Sequence, residues 1–239
     1  MQQKMIKESL DGIILAYEKL MRGIEADATD SETNRAYGGL VRAGKGELVE
    51  SMVRTLVETA WVYNLNQSKT RLKMDKKKIK ISMKSDYVDK IFDIDVKDYL
   101  INHHEDQFYN FGTDVHVFID DKLVLPIECK AYTENAMLKR IVFDANLAFE
   151  YMKIELYLLF QLESQLGGDY NEIKPKTYGS PSTNTILSYS HGKIDIITLL
   201  EGERKVDKPI HKSEFYKPIK YKNLELALSK ISSVLKQYT

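Results

Sequence analysis

The chain has little cysteine and no long hydrophobic run, and these two absences exclude whole classes of protein. Its 239 residues contain a single cysteine, so the chain can form neither an internal disulfide nor a Cys-rich zinc site. No stretch of about 18 apolar residues is present, which excludes a membrane-spanning helix. The first residues, MQQKMIKESLDGII, also lack the basic-then-apolar pattern of a signal peptide. We therefore expect a cytoplasmic protein that makes no use of a membrane.

The chain also lacks net charge, because 35 basic residues balance 35 acidic ones. A neutral balance usually argues against a nucleic-acid binder, but here the charges are segregated along the chain. Residues 69–84 carry eight basic residues and one acid, residues 86–121 carry ten acids and two lysines, and residues 203–222 carry seven basic residues and three acids. Such a protein could hold a polyanion and still concentrate carboxylates at one place. The alternative is that these charge runs are ordinary solvated faces.

The length and the apolar pattern predict one sizeable domain. With 43% hydrophobic residues, a chain of this length can bury most of its apolar surface without a disulfide or a structural metal. Helices are predicted over 1–25, 47–63, 137–152 and 223–238, and strands over 78–84, 114–119, 122–131, 155–163 and 194–200. The prediction is an α/β fold over 1–239, a central mixed sheet with helices on both faces. It includes an N-terminal helical segment (1–44), a glycine-rich joint (37–46) and polar or basic insertions at about 164–222.

Charged residues stand in an otherwise apolar strand of the predicted hairpin GTDVHVFIDDKLVLPIECKAYTE, with DDK as its turn. Because successive side chains of a strand point to opposite faces, Asp114 lies on the same side of the hairpin as Glu128 and Lys130. We expect that side to be the unpacked one. The opposite face of the second strand is wholly apolar, and Cys129 on it is predicted to act as a small buried hydrophobe. That apolar face comprises Leu123, Leu125, Ile127, Cys129 and Ala131.

Two carboxylates and a lysine at a sheet edge suit phosphate chemistry. Mg²⁺ typically takes one or two protein carboxylates and completes its shell with water and phosphate oxygens. Such a metal lowers the pKa of a bound water, and a neighbouring ammonium can orient that water and offset transition-state charge. The alternative is an ordinary cross-strand salt bridge on a wet face.

This arrangement resembles the PD-(D/E)xK nuclease motif, in which an Asp precedes an (Asp/Glu)-x-Lys on the next strand. Asp114 followed by Glu128-Cys129-Lys130 has that form, and GELVE at 46–50 resembles the upstream Gly-x-x-x-Glu of the family, with Glu50 as its acid. The run ECKAYTENAMLKR looks like type II restriction endonucleases in particular, and the resemblance covers about residues 45–165 in element order. One departure is Thr113, which stands where the family often has proline.

The resemblance implies a Mg²⁺-dependent type II restriction endonuclease that cuts a specific short double-stranded DNA sequence and leaves 5′-phosphates and 3′-hydroxyls. It implies that Asp114 and Glu128 hold the metal, with the backbone carbonyl of Cys129 as a possible further ligand. Lys130 would position or activate the attacking water, and Glu50 would bind a second metal or a water on the metal. Two-fold symmetric DNA sites favour a homodimer with one active site per strand. The alternatives are a repair or junction-resolving nuclease of the same fold and a non-catalytic DNA-binding protein.

Four further segments are predicted to contact DNA. The basic segments 69–84 and 205–222 suit phosphates, which position DNA without specifying sequence, and the polar segments 177–185 and 188–193 suit base edges. An ordinary polar surface loop is the alternative for the latter. The phosphate candidates are Lys76, Lys77, Lys78 and Lys80, and the base-reading candidates are Ser182, Thr183, Asn184, Ser190, His191 and Lys193.

Three other motifs resemble functional sites but lack essential parts. GLVRAGKG at 39–46 nearly matches a phosphate-binding loop, but it ends in Gly46 instead of Ser or Thr and follows no apolar strand, so no nucleotide cofactor is expected. FDIDVKD at 92–98 has two aspartates on one strand face without a second strand to complete the set, and we interpret it as a solvated acidic edge. His103 and His104 have no partner ligands for a metal and are expected at the surface.

Overall fold

The computed structural model describes residues 1–30, 34–168 and 179–239. Their regular elements are six helices and seven strands. The helices are α1 (Gln2–Asp30), α2 (Asn34–Glu58), α3 (Ile94–Asn102), α4 (Asn135–Met152), α5 (Pro181–Ser188) and α6 (Tyr221–Leu235). The strands are β1 (Leu72–Asp75), β2 (Ile79–Ser82), β3 (Phe108–Phe111), β4 (Val115–Ile119), β5 (Lys122–Glu134), β6 (Leu156–Gln165) and β7 (Lys193–Thr198).

A five-stranded mixed sheet organises the protein, in the order β1-β4-β5-β6-β7. The pairs β1–β4 and β4–β5 are antiparallel, whereas β5–β6 and β6–β7 are parallel. Parallel neighbours need a crossover connection, and α4 supplies it between β5 and β6. A separate antiparallel pair, β2–β3, completes the strands. The predicted mixed sheet is therefore confirmed.

The sheet carries a hydrophobic core on each face. One core joins α1, α2 and α6 to the sheet through residues such as Leu10, Leu56, Trp61 and Leu125, all fully buried. The other lies under α4 and includes Leu138, together with residues such as Tyr157 and Leu159 of β6. Helices on both faces of the sheet were expected, and the structure confirms them.

The predicted glycine-rich joint is wrong, because residues 37–46 lie inside α2. A glycine in a helix interior costs only about 1 kcal/mol relative to alanine, and tertiary packing outweighs that cost here. At Gly44 a Cβ would stand 3.5 Å from Cδ1 of Leu20 on α1, so the helices approach closely at this point. Beyond α2 the chain continues as one wider helical turn, Thr59–Asn64. There the buried Trp61 ring donates its Nε1–H to the carbonyl of Ser68 at 2.9 Å.

The β4–β5 hairpin contains a tight turn and a bulge. Asp120 and Asp121 have φ values of 49° and 61°, as a type I′ hairpin turn requires. The register shifts between Val117 and Phe118, and this bulge reverses the alternation at the start of β5. The predicted facing of Leu123 is therefore wrong, since Leu123 packs with the α4 core while Val124 lies in the core on the opposite side.

The acidic segment forms a helix, whereas sequence analysis predicted an edge strand. Asp93 caps the N-terminus of α3, its carboxylate accepting the backbone N–H groups of Asp95 and Val96. The prediction of solvent exposure holds, because no residue of α3 is buried. Elements β1, β3, α3 and α5 were not predicted. Across the described ranges, no helix is both long and apolar enough to cross a membrane.

Candidate active site

Three of the predicted site residues meet where β4 begins beside β5. The pairing of Val115 with Ile127 places Asp114, just before β4, opposite Glu128. The Oδ2 atom of Asp114 accepts the backbone N–H of Cys129 at 2.8 Å. The ammonium of Lys130 donates to Oε1 of Glu128, and its Nζ lies 3.6 Å from Oδ2 of Asp114 and 3.3 Å from the Cys129 carbonyl oxygen. One cationic group therefore contacts two carboxylates and a carbonyl.

The face that carries these residues is packed, which corrects the expectation of an open one. Glu128 is only 7% exposed, and it pairs in register with Leu159, a member of the core under α4. The side chains of Asp114 and Lys130 remain 30% and 26% exposed. The cluster thus runs from solvent into the protein, and an ordinary ion pair on a wet face does not describe it.

The turn that holds Asp114 is fixed by a histidine. His116 is fully buried, and its Nε2 accepts the backbone N–H of Thr113 at 3.2 Å. The Thr113 hydroxyl donates to the carbonyl of Val115 at 3.2 Å. Burial lowers the pKa of His116, although Asp75 opposes the shift, and a neutral ring keeps Nε2 available as an acceptor. Sequence analysis gave His116 no role.

The carboxylates crowd the centre with negative charge. Burial raises the pKa of Glu128, Lys130 opposes the shift, and Asp114 and Asp144 add to it. Burial would lower the pKa of Lys130, but Glu128 and Asp114 together raise it. The ammonium therefore stays charged, and the ionised form of Glu128 would gain from further positive charge.

Glu50 of α2 lies beside the basic segment that follows β1. Its side chain is 19% exposed and pairs with Lys76. Burial raises the pKa of Cys129 well above the ordinary value, and Asp114 and Glu50 raise it further, which places Glu50 within electrostatic range of the cluster. Cys129 is 6% exposed and belongs to the hydrophobic core, as predicted.

Two neighbours of the cluster were missed by sequence reasoning. The hydroxyl of Tyr109 on β3 donates to Oδ1 of Asp144 on α4 at 3.3 Å. Burial raises the pKa of Asp144, against the influence of Tyr109, Arg140 and Lys130. The helical spacing of α4 places Asp144 beside the buried Ile141 and Ala145, a signal that sequence analysis could have used.

The oxygen atoms present fit a hard divalent cation. Among the described residues no group of three or more His, Cys, Asp or Glu side chains could hold a metal. Mg²⁺ needs fewer, because one or two carboxylates suffice when water and phosphate complete the shell. Asp114, Glu128 and the Cys129 carbonyl supply two carboxylates and one further oxygen, all within reach of a single ammonium. This donor set matches Mg²⁺ in number and in chemical type.

The predicted phosphate-binding lysines are exposed but partly engaged. Lys76 pairs with Glu50, and Lys80 lies 3.9 Å from the centre of the Phe108 ring. The Lys77 backbone N–H donates to Asp75 at 3.1 Å, while its side chain is exposed. Lys78 is also exposed. The four lysines thus flank Glu50 and the β2–β3 pair.

The polar segment late in the chain is mostly helical. The predicted loop 177–185 begins outside the described residues, and most of the rest is α5, capped by Ser180. Thr183 is fully buried, and its hydroxyl bonds to Leu166 and Asn135 at 2.7 Å, so its prediction as a base-contacting residue is corrected. The other candidates stay accessible: Ser182, Asn184, His191 and Lys193 are exposed and Ser190 is half-buried.

The histidine pair behaves much as predicted. His103 is exposed and stacks on Tyr99 with ring centres 4.2 Å apart. His104 is half-buried, so only His103 meets the expectation of a surface residue fully.

Comparison with known proteins gives this geometry its context. No family model matches the sequence. The chain is 46% identical over 234 residues to the type II restriction enzyme DdeI of Desulfomicrobium norvegicum, an alignment that covers 96% of this chain and 97% of that enzyme. This chain belongs to the type II restriction enzymes. The predicted family, and with it a site-specific deoxyribonuclease, is therefore confirmed.

For a restriction enzyme, the Asp114–Glu128–Lys130 cluster is the candidate active centre. It is half-buried, rich in oxygen ligands and equipped with a charged lysine. The alternatives of a junction-resolving nuclease and a non-catalytic DNA-binding protein fall away with the family assignment. The individual roles of the residues remain predictions.

Proposed function

We propose that this restriction endonuclease uses Mg²⁺ to hydrolyse phosphodiester bonds in a short, specific double-stranded DNA sequence, leaving 5′-phosphates and 3′-hydroxyls. One observation carries the proposal. A single ammonium, that of Lys130, lies within 3.6 Å of Asp114 and within hydrogen-bonding reach of Glu128 and the Cys129 carbonyl. These oxygens surround one positive charge, and carboxylate and carbonyl oxygens are the ligands that Mg²⁺ takes from proteins.

Asp114, Glu128 and the carbonyl of Cys129 would hold the ion. When bound, Mg²⁺ lowers the pKa of water and stabilises negative charge on the phosphate. The N–H of Cys129 donates to Oδ2 of Asp114 and so holds that carboxylate in place. The burial of Glu128 limits competition from solvent water and strengthens electrostatic interactions in the centre.

Lys130 would orient the attacking water and offset charge on the phosphate in the transition state. Burial lowers the pKa of Lys130, but Glu128 and Asp114 raise it by more. The lysine therefore stays charged, which favours this role over that of a general base. Glu50, which pairs with Lys76, would bind a second cation or hold a water at the edge of the centre.

DNA binding would use both sides of this centre. Lys77, Lys78 and Lys80 suit the phosphate backbone, with Lys76 shared between DNA and Glu50. Side chains around α5 and the start of β7 suit base edges. We propose Ser182, Asn184, Ser190, His191 and Lys193 for that second role. A two-fold homodimer would present one centre to each strand.

A plasmid digest tests the proposal directly. The purified protein is incubated with supercoiled and relaxed plasmids in Mg²⁺, and in EDTA as the metal-free control. Discrete, reproducible fragments in Mg²⁺ that disappear in EDTA are expected, and ligation should show that the ends carry 5′-phosphates. Cleavage that persists in EDTA, or ends that carry 3′-phosphates, would contradict the proposed chemistry.

A further inference from the structure

A second cluster of charged side chains lies beyond the catalytic centre along β5. The guanidinium carbon of Arg204 stands 3.8 Å from the centre of the Tyr132 ring. Tyr132 follows Lys130 by two residues on the same strand, so the two side chains share a face and lie about 7 Å apart along it. Arg204 therefore flanks the proposed site of cleavage.

The loop that carries Arg204 is anchored at several points. The backbone N–H of Arg204 donates to the Ser164 carbonyl at 2.7 Å, and its Nη1 donates to Oε1 of Gln165 at 2.6 Å. Lys217 donates to the carbonyl oxygens of Gly202 and Glu203 at 3.1 and 3.2 Å. A guanidinium held against an aromatic ring loses little freedom when it binds, and its fork matches two oxygens of a phosphate.

The cluster has more positive than negative charge. Its buried acid, Glu163, is 5% exposed and accepts a hydrogen bond from Lys217 at 2.9 Å. Lys45 of α2 is half-buried. Burial lowers the pKa of Lys45, Glu163 opposes that shift, and Arg204 strengthens it. Lys45 therefore lies within electrostatic range of Arg204 and of an acid that Lys217 already neutralises.

We propose that Arg204, with Lys45 as a supporting cation, binds one phosphodiester group of the DNA substrate close to the scissile bond. These two residues are called the phosphate clamp below. An anion there would relieve the repulsion between the two cations and compensate the burial of Lys45. The nearest anion available to a restriction enzyme is its own substrate.

The distance between the clamp and the candidate active centre follows from offsets along α2 and β5. Lys45 precedes Glu50 by five residues of α2, about 7.5 Å at the rise of a helix, and Tyr132 lies about 7 Å from Lys130 on β5. Since one strand carries a phosphate every 3.4 Å or so of helix axis, the clamped phosphate lies within about two nucleotides of the cut. This distance rests on the proposed function, whereas the anion binding itself does not.

DNA binding without metal tests the clamp independently of cleavage. Affinities of Arg204→Gln and Lys45→Gln for a duplex that contains the recognition site are measured across a salt series, with Lys122→Gln as the matched control. Lys122 is exposed and lies ten residues from Tyr132 along β5. Each clamp variant should lose about ten-fold or more in affinity, and the slope of log K against log salt should fall by roughly 0.9. Affinities and slopes equal to those of Lys122→Gln would overturn the proposal.

A scan of neutral phosphates identifies the clamped group. Single methylphosphonates are placed in turn along the cut strand, and one position near the cut should weaken binding of the wild type. At that position the methylphosphonate should reduce the affinity of Arg204→Gln and Lys45→Gln only slightly, because these variants have already lost the contact. The assignment would be contradicted if, at every position, the methylphosphonate reduced the affinity of both variants as much as it reduces that of the wild type.

Two further measurements distinguish loss of the clamp from loss of folding and from a site for a small free anion. Melting temperatures of the free proteins should show that Lys45→Gln is no less stable than wild type, because it removes a half-buried charge. This keeps the test valid even if Arg204→Gln folds poorly.

If inorganic phosphate raises the melting temperature of wild type but not of Lys45→Gln, while the salt slopes of DNA binding stay equal, the site takes a small free anion and the proposal fails. A protein that binds DNA with the expected slopes but cuts nothing would overturn the proposed function and leave the clamp intact.

Discussion

At the scale of single residues, the candidate active centre holds two carboxylates and only one ammonium. Asp114 and Glu128 share one ammonium, and burial makes the ionised form of Glu128 costly. Lys130 therefore does two things in the free protein: it neutralises the carboxylates and keeps their oxygens together. Removal of any one of the three changes the charge that the other two experience, so catalytic and structural effects must be separated by the choice of substitution.

Lys130→Ala should reduce cleavage by at least about 100-fold, the cost typical of losing one transition-state donor. DNA affinity measured without metal should change little, because the half-buried ammonium faces Asp114 and Glu128. Single-turnover digestion and a binding titration measure the two effects, with Lys122→Ala as the control. Cleavage by Lys130→Ala at the wild-type rate would remove Lys130 from the mechanism.

Asp114 has a structural bond as well as a proposed metal role, and two substitutions separate them. Asp114→Asn keeps an oxygen to accept the Cys129 N–H, so it should retain the melting temperature while it loses Mg²⁺-dependent cleavage. Asp114→Ala removes that acceptor and should also lose about 1–3 kcal/mol of stability. Thermal unfolding and plasmid digestion test both. Full activity in Asp114→Asn would show that the charge of Asp114 is not needed.

At the scale of elements, strand alternation predicted the centre better than it predicted the packing around it. The facing of Asp114, Glu128 and Lys130 followed from period-two alternation, because the register beyond the bulge is regular. Leu123 lies on the other side of that bulge, and its facing was wrong for that reason. A bulge inserts one residue without a distinctive residue type, so alternation alone cannot locate it.

Helices whose stability depends on distant contacts were also beyond local patterns. Glycines in 37–46 indicated a joint, yet the segment lies inside α2, where Gly44 closely approaches Leu20 of α1. The burial of Glu128 depends on α4 and β6, elements far along the chain from the hairpin, and the partners of Arg204 come from separate segments. Single-sequence reasoning thus found the chemical motif and missed the side chains that surround it.

Glycines in and between these elements give a paired test of the helix and turn assignments. Gly12 lies inside α1, and a Cβ there would meet nothing within 4 Å, so Gly12→Ala should stabilise the protein by about 0.5–1 kcal/mol. Gly167 has a φ of 77°, and a Cβ there would stand 2.4 Å from the backbone nitrogen of Ser180. Gly167→Ala should therefore destabilise it. Denaturant unfolding of both variants measures the effects, and a shift of the same sign in both would contradict the assignment.

At the scale of the whole molecule, the sheet carries the candidate active centre and the proposed DNA contacts on either side of it. The β2–β3 pair brings the basic block beside the centre, while β6, β7 and the loop that holds Arg204 lie beyond it. One chain supplies one such centre, whereas cutting both strands at the same time needs two. The proposed homodimer meets that need, since a two-fold axis presents an identical centre to each strand.

Mixed dimers test this arrangement. Wild-type protein and Lys130→Ala, distinguished by affinity tags, are co-expressed, and the species that carries both tags is isolated. With one working centre per dimer, supercoiled plasmid should accumulate as nicked circles, whereas wild-type dimers should give linear product. Sedimentation should show the isolated species at twice the mass of one chain. Linear product from mixed dimers at the wild-type rate would mean that one centre cuts both strands in turn, and a failure to recover any doubly tagged species would contradict the homodimer.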